Sequence, residues 1–424
     1  MDDSLAALGA DRYSYRADDL HCEGVALAEL AERFGTPLYV YSRASLVGRF
    51  EQLRRAFGGE ARICYAVKAN SNLAILRLFS ELGAGFDLVS GGELRRLQRA
   101  GVPATGAVFA GVAKEEWEVR EAQRAGILFF NLESDFEVEM FERVAAAEGQ
   151  PIPVALRINP DVDADTHEYI RTGTRGDKFG LDLATASAVA ERVAASPRLR
   201  LVGCHAHLGS QIHEPAPYLE AFDVVERFLD EHARLLQDMR YYDLGGGIGV
   251  SYGAAQATMD LEALAQGLGP RLAARGLTPV LEPGRFLVAD AGCLVTRVLG
   301  VKGRGQRRFA VVDAGMNDLM RPALYHAEHP VGMVRRRVGE VGRYDIVGPV
   351  CESGDFLALD RELPEPAGGD LMAVFAAGAY GSTMSSNYNS RRRPAEVLVS
   401  GSEFELIRRR ETFEQMWAAE EISS

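Results

Sequence analysis

Cysteine is scarce in this chain of 424 residues, and its few cysteines do not form a pattern. Cys22, Cys64, Cys204, Cys293 and Cys351 are odd in number and scattered, so they offer neither a disulfide framework nor a Cys-x-x-Cys metal site. Long apolar runs are missing too: nothing is long enough to span a bilayer, and Met1-Asp2-Asp3-Ser4 lacks the basic region and apolar core of a secretory signal. Positive charge is in deficit. With 47 Lys and Arg against 60 Asp and Glu, the net charge of −13 argues against nucleic acid or an anionic membrane as main partner. Any phosphate site must therefore be local. The expectation is a cytoplasmic protein in a reducing compartment, acting on small molecules.

What is present is globular in balance, 47% hydrophobic and 25% charged, and the length predicts about two domains. After a polar lead-in, a helical stretch from Val25 to Phe34 and a strand-like Leu38–Tyr41, a rhythm begins. Short apolar runs (Ile63–Val67, Phe86–Val89, Ala107–Ala110, Ile127–Phe130, Val154–Ile158, Leu201–His205, Tyr241–Leu244 and Pro279–Leu281) are mostly followed by amphipathic helical stretches. Eight strand–helix units over about 240 residues fit a (β/α)8 TIM-type barrel, whose usual size is about 250 residues; a doubly wound open sheet is the competing α/β reading. Beyond Glu282 the texture changes. Phe286–Val288, Cys293–Val301, Phe309–Val312, Tyr344–Val347, Leu371–Phe375 and Ala395–Val399 read as strands separated by Gly, Pro and Arg-rich turns, a C-terminal mainly-β domain of the sandwich or barrel-like kind that Leu38–Tyr41 can join. The expected divisions are an N-terminal segment over 1–45, a barrel over 46–285 and the β domain over 286–424.

In a barrel, strand tips distant in sequence meet at one mouth. Read in order, the tips are Lys68, Asp87 with Ser90, Asn131, Arg157 with Asn159, His205 and His207, Gly245-Gly246-Gly247, and Glu282 with Arg285. Lys68 leaves the apolar Ile63–Val67, where partial desolvation would make it a usable amine nucleophile; taken alone, a solvated strand-end lysine explains it as well. Gly245–Gly249 can turn its N–H groups toward an anion, or be a flexible loop. His205 and His207 share one strand face, but no carboxylate or cysteine cluster lies near them in sequence to complete a ligand set, so no metal is expected. Lysine, stacking imidazole, carboxylate and glycine loop together describe a pyridoxal phosphate site.

The chain resembles the fold-type III pyridoxal phosphate decarboxylases. The resemblance is carried by Tyr65–Asn70, Asp87–Glu93, Ile158–Asp161, His205–Gln211, Gly245–Gly249 and Glu282–Arg285, then by Asp313–Tyr325, Gly348–Phe356, Gly378–Ser382 and Asn387–Val399, from about residue 25 to 400. It implies that Lys68 carries pyridoxal 5'-phosphate and His207 stacks on its ring. It implies that Ser210 and Gly245, Gly246 and Gly247 take the phosphate and Glu282 the ring nitrogen, with Asp87, Pro283, Gly284 and Arg285 also at the cofactor. Substrate contacts fall to Arg285, Arg321, Tyr325 and Glu352, with Tyr380 touching both cofactor and substrate. Arg321 would read a carboxylate and Glu352 an ammonium at the far end of an amino acid, roles suited to bidentate guanidinium and carboxylate chemistry. Cys351 is implied as proton donor. Cys351, Glu352 and Tyr380 are implied to reach the site of a second copy, giving a homodimer with shared active sites.

Three other readings stand beside this one. A related decarboxylase for ornithine, arginine or a carboxylated polyamine is disfavoured by Arg321-Pro322 and Tyr325. A racemase of the same fold would resemble a pattern with arginine in place of Glu282. A non-catalytic cofactor-binding protein would lack Cys351, Glu352 and Arg321. His326-Ala327-Glu328-His329 and Arg392 are local departures that remove no role-bearing residue.

Overall fold

Two compact units divide the chain: Phe50–Val250 with Thr258–Phe286, and Met1–Arg49 and Ser251–Ala257 with Leu287–Ser424. The computed structural model describes residues 13–162, 178–252, 258–304 and 307–421, so the start of the N-terminal segment expected over 1–45 lies outside the described residues.

In the first unit the parallel strands Arg62–Ala66, Gly85–Leu88, Val108–Phe109, Phe129–Leu132, Ile152–Arg157, Leu199–His205, Tyr241–Asp243 and Thr278–Leu281 close into a barrel in chain order. The last strand returns to the first, with Val280 opposite Arg62 and Leu281 opposite Ile63. A helix follows each strand: Leu73–Glu81, Gly91–Ala100, Glu116–Arg124, Phe136–Glu148, Leu183–Ala195, Ala216–Glu231, Leu261–Ala274 and the short Arg285–Val288. Polar residues at the turns start several of these helices. The side chains of Asn72, Ser90, Asp182 and Asp260 accept first-turn N–H groups, a stabilisation of about 1 kcal/mol per cap.

The barrel interior explains the polarity of the strand tips. Cys64, Val108, Phe129, Ala155, Val202 and Val280 pack into one buried cluster, with Tyr241 against it. Side chains two residues apart on a strand share a face. Two residues further along, the same inward face carries Asn131 after Phe129, Arg157 after Ala155, Asp243 after Tyr241 and Glu282 after Val280. An apolar layer that fills the barrel is thus followed, on the same face, by a polar layer at the carboxyl ends of the strands.

In the second unit, Leu38–Ser42 lies between two partners: antiparallel to Gly292–Arg304 and parallel to Ala395–Ser400. The path runs Phe356–Pro364, Val341–Val347, Arg307–Val312, Gly292–Arg304, Leu38–Ser42, Ala395–Ser400 and Glu403–Arg408, with Leu371–Val374 and Val331–Met333 branching from it. Gly292–Arg304 is long enough to serve both halves; its register shifts between Val298 and Gly300, where it passes from Leu371–Val374 to Arg307–Val312. Leu38, Val40, Cys293, Val295, Ala373, Val397 and Val399 form its core together with Leu27 and Leu30 of the helix Leu27–Phe34. One strand expectation is corrected: Phe286–Val288 belongs to the helical turn Arg285–Val288, because four residues with aromatic and branched side chains carry too little periodicity to separate strand from helix.

Candidate active site

Lys68 sits in the 3-10 turn Val67–Ala69 that ends the first barrel strand. Its Nζ donates to Asp87 Oδ2 at 2.8 Å, and the lysine side chain is 38% exposed while Asp87 is wholly buried. This lysine is thus positioned by a buried carboxylate on the neighbouring strand. Burial pushes the Asp87 carboxyl up to about 6, with the charge of Glu282 adding to the rise and Lys68 opposing it.

Three carboxylates occupy this layer, and their surroundings separate them. Burial raises Asp243 well above its ordinary value, and the charge of Glu282 raises it further, although Gly245 N–H donates to its Oδ1 at 2.9 Å. Burial also acts to raise Glu282, but the His205 imidazole and the charge of Lys68 outweigh it and hold Glu282 well below the usual carboxylate range. His205 Nε2 lies 3.4 Å from Glu282 Oε2. Around these groups Asp87 Oδ1, Glu282 Oε1, Asp243 Oδ2, both ring nitrogens of His205 and both amide atoms of Asn131 are buried with no hydrogen-bond partner among the described residues. Buried polar atoms are nearly always satisfied, so a cluster of unsatisfied ones at a barrel mouth is a seat for a polar ligand.

Beside this layer, His207 Nδ1 accepts the Gly246 N–H at 3.0 Å, so a neutral ring carries its proton on Nε2. Burial, with the charges of Arg157 and Lys68, keeps His207 well below the usual imidazole value. The glycines are sterically required. A Cβ on Gly246 would lie 2.3 Å from the Glu282 carbonyl oxygen, one on Gly245 2.5 Å from His207 Nδ1, and Gly245 and Gly247 adopt φ of +70° and +94°. Ser210 Oγ receives both Nε and an NH2 of Arg285, at 3.2 and 2.9 Å. Pro283 and Gly284 are buried, and the Pro283 carbonyl accepts from Ala66 N–H, tying the eighth tip to the first. With the Gly245 and Gly246 N–H groups given to Asp243 and His207, the Gly247 N–H, the Ser210 hydroxyl and the Arg285 guanidinium suit a phosphate, and a buried carboxylate held low suits a protonated ring nitrogen; the residues fit pyridoxal phosphate.

Barrel closure also brings together what the sequence kept apart. Ligand atoms of His205, His207 and Glu282 lie within 4.8 Å of one another, so the expectation that no carboxylate accompanies the histidines is corrected. His207 Nδ1 is engaged by Gly246, which weighs against metal at this cluster.

A second network escaped the sequence reading. Arg157 donates to Glu133 Oε2 at 2.7 Å, Gly111 N–H to Glu133 Oε1 at 2.5 Å, and Lys114 to Glu137 Oε1 at 2.8 Å. Glu137 Oε2 in turn accepts the Glu133 N–H at 2.7 Å. Asp243 was likewise given no role. Its signal was available, because it follows Tyr241 by two residues on a strand.

In the β unit, Arg321 begins the short helix Arg321–Tyr325 and is buried; Tyr325 ends it, half-buried. Cys351 and Glu352 are exposed on a loop. Asp355 fixes its base by accepting the N–H groups of Met316 and Val350, both at 2.6 Å. Asn389 Oδ1 accepts the Cys351 N–H at 3.1 Å, and Tyr388 O–H donates to Glu352 Oε2 at 2.9 Å. Neither Tyr388 nor Asn389 was singled out from sequence. Tyr380 has φ of +55°, an uncommon left-handed conformation for a bulky residue.

Comparison with known proteins agrees with this geometry. Residues 43–289 match the family described as pyridoxal-dependent decarboxylase, pyridoxal binding domain. The diaminopimelate decarboxylase of Pseudomonas aeruginosa is 48% identical over 413 residues, 97% of this chain and 99% of that protein. The diaminopimelate decarboxylase of Helicobacter pylori solved with L-lysine is 41% identical, with a TM-score of 0.89 over 93% of this chain and 98% of that one. That of M. jannaschii, also with L-lysine, is 36% identical, with a TM-score of 0.92 over 98% and 99%. The chain belongs to the pyridoxal-dependent decarboxylases.

Proposed function

We propose that the protein decarboxylates meso-diaminopimelate to L-lysine and carbon dioxide with pyridoxal 5'-phosphate, the last step of lysine biosynthesis. The observation that carries the reading is the barrel layer in which Lys68 is paired to buried Asp87 beside an ionised Glu282. Near-full-length relatives named diaminopimelate decarboxylase support the substrate.

Lys68 is the amine that would hold the cofactor. The bound cofactor supplies an electron sink for the pair left behind as carbon dioxide departs. Glu282, held ionised by its neighbours, keeps the ring nitrogen protonated; Asp87 orients Lys68. The neutral His207 ring offers a stacking face, and Ser210, Arg285 and the Gly245–Gly247 turn hold the phosphate. Arg321 takes the distal carboxylate and Glu352 the distal ammonium, with Arg285, Tyr325 and Tyr380 lining the path between. Cys351 delivers a proton from Sγ to the carbon that has lost its carboxylate.

The exposure of Cys351 and Glu352 within one chain supports a homodimer in which they, with Tyr380, complete the site of a second copy. The division of labour is a cofactor-binding barrel over 46–285 and a β domain over 286–424 that contributes substrate contacts and interface. Among the described residues no helix is long and apolar enough to cross a membrane, and a cytoplasmic setting fits the exposed Cys351 thiol. The test is carbon dioxide release from meso-diaminopimelate beside ornithine, arginine and lysine, with and without added cofactor. Cofactor-dependent release from diaminopimelate alone is expected; equal or greater release from ornithine overturns the substrate.

A further inference from the structure

The sequence around His326–His329 looked like a departure of no consequence, yet His329 is fully buried and lies against the residue proposed to read the distal carboxylate. Arg321 NH1 is 3.0 Å from His329 Nε2, and His329 Nδ1 is 2.8 Å from the Phe375 carbonyl oxygen. A carbonyl can only accept and a guanidinium can only donate. The imidazole facing both must therefore carry its proton on Nδ1 and accept at Nε2. One tautomer satisfies the pair, and the carbonyl of Phe375, next to the strand Leu371–Val374, selects it. The other face of the guanidinium is set by Tyr252, whose ring centroid lies 4.7 Å from Arg321 Cζ and 5.4 Å from the His329 ring.

We propose that His329 is a positioning residue for distal-carboxylate recognition: it fixes the plane of the Arg321 guanidinium through a hydrogen bond whose direction the Phe375 carbonyl dictates. Neither His329 nor Tyr252 is an anion, so these two contacts orient the cation without neutralising it. A buried arginine left to rotate would meet a carboxylate through one N–H instead of the parallel pair that gives bidentate recognition its selectivity. Orientation of this kind acts on binding of the carboxylate end and not on the reacting carbon.

The inference rests on the reading of Arg321 in the proposed function, and the experiment separates the two. His329→Leu, His329→Asn and His329→Gln are prepared as holoenzymes beside wild type. Each is tested for turnover of meso-diaminopimelate and for inhibition by L-lysine, which keeps the distal carboxylate, and by the five-carbon diamine, which has none. The expected result is a rise of about tenfold in KM for diaminopimelate and in the L-lysine inhibition constant for Leu and Asn. The diamine constant and cofactor absorbance should stay unchanged, and kcat should change less than KM. Gln, long enough to place an accepting oxygen near the former Nε2, should restore L-lysine binding to within about threefold; if Leu fails to fold, the contrast of Asn with Gln carries the test. Equal weakening of L-lysine and diamine binding, or wild-type L-lysine binding in both Leu and Asn, overturns the positioning role. Failure of wild type to turn over diaminopimelate overturns the functional reading instead.

Discussion

Asp87, Asp243 and Glu282 are buried in one layer of the barrel, whereas Cys351 and Glu352 stand exposed on a loop of the β unit. In the barrel, the protonation of each carboxyl follows from what surrounds it. Three carboxyls in one layer are shifted differently because one faces an imidazole and a lysine, one a lysine beside Glu282, and one a backbone N–H beside Glu282. On the loop, geometry is set instead by exposed hydrogen bonds, from Asn389 and Tyr388, that compete with water. The barrel layer is thus built within a single unit, while the loop that carries Cys351 and Glu352 meets water in the described structure. Arg321 is the exception in the β unit, already buried and already oriented.

The sharpest way to break this contrast is at Lys68. Lys68→Ala should abolish the visible absorbance of the bound cofactor and lower turnover by at least about a thousandfold, since a covalent attachment point is lost; retained absorbance sinks the assignment. Next come the buried carboxyls. Glu282→Gln removes a charge that is present and should cost about a hundredfold in kcat, the scale for losing one preorganised electrostatic partner. Asp243→Asn replaces a carboxyl that burial and the charge of Glu282 raise well above its ordinary value, and keeps an acceptor for the Gly245 N–H, so its loss should stay below about tenfold. Equal losses would mean that the layer does not separate its carboxyls.

Most of this architecture was legible before any coordinates. The eight apolar runs became the eight barrel strands because parallel strands buried on both faces read as continuous hydrophobic segments. Leu38–Tyr41 could be joined to the β domain because it stood outside the barrel rhythm. The site residues of the resemblance could be named, but their partners could not. The His205–Glu282 contact links strand six to strand eight, and the Arg321–His329 contact depends on a tautomer chosen by Phe375, far along the chain. Neither is coded locally. Asp243 is legible from the period of two along its strand, which places it on the inward face after Tyr241, whereas Glu133 lies just past its strand and shows its role only through Arg157 and Gly111.

The contrast extends to stability. Asp318 in the β unit is buried, and burial pushes its carboxyl up to about 7, partly offset by the Gly315 N–H and the charge of Arg391. Because this value lies above that of the unfolded chain, the contribution of Asp318 is fully present at low pH and is lost as pH rises through about 7. Between pH 6 and 8 the melting temperature of the wild type should fall by about two degrees more than that of Asp318→Asn, whatever the variant's absolute stability. Parallel pH slopes would show that Asp318 is ionised throughout that range.

The smallest expected effect discriminates best between an open and a covered loop. Tyr388→Phe removes only the O–H that donates to Glu352 Oε2, leaving the Cys351 contact with Asn389 intact. With Tyr388 46% exposed and Glu352 exposed, water replaces that bond readily, and KM for diaminopimelate should rise by about twofold with kcat unchanged. The same hydrogen bond in a water-excluded site would orient Glu352 far more strongly, because an unsatisfied partner there has no solvent to turn to. A rise of about tenfold in KM, measured at protein concentrations where the chain is dimeric and fading on dilution to monomer, would place Tyr388 and Glu352 beneath a second copy. A twofold effect independent of concentration would leave the loop open to water in the working enzyme.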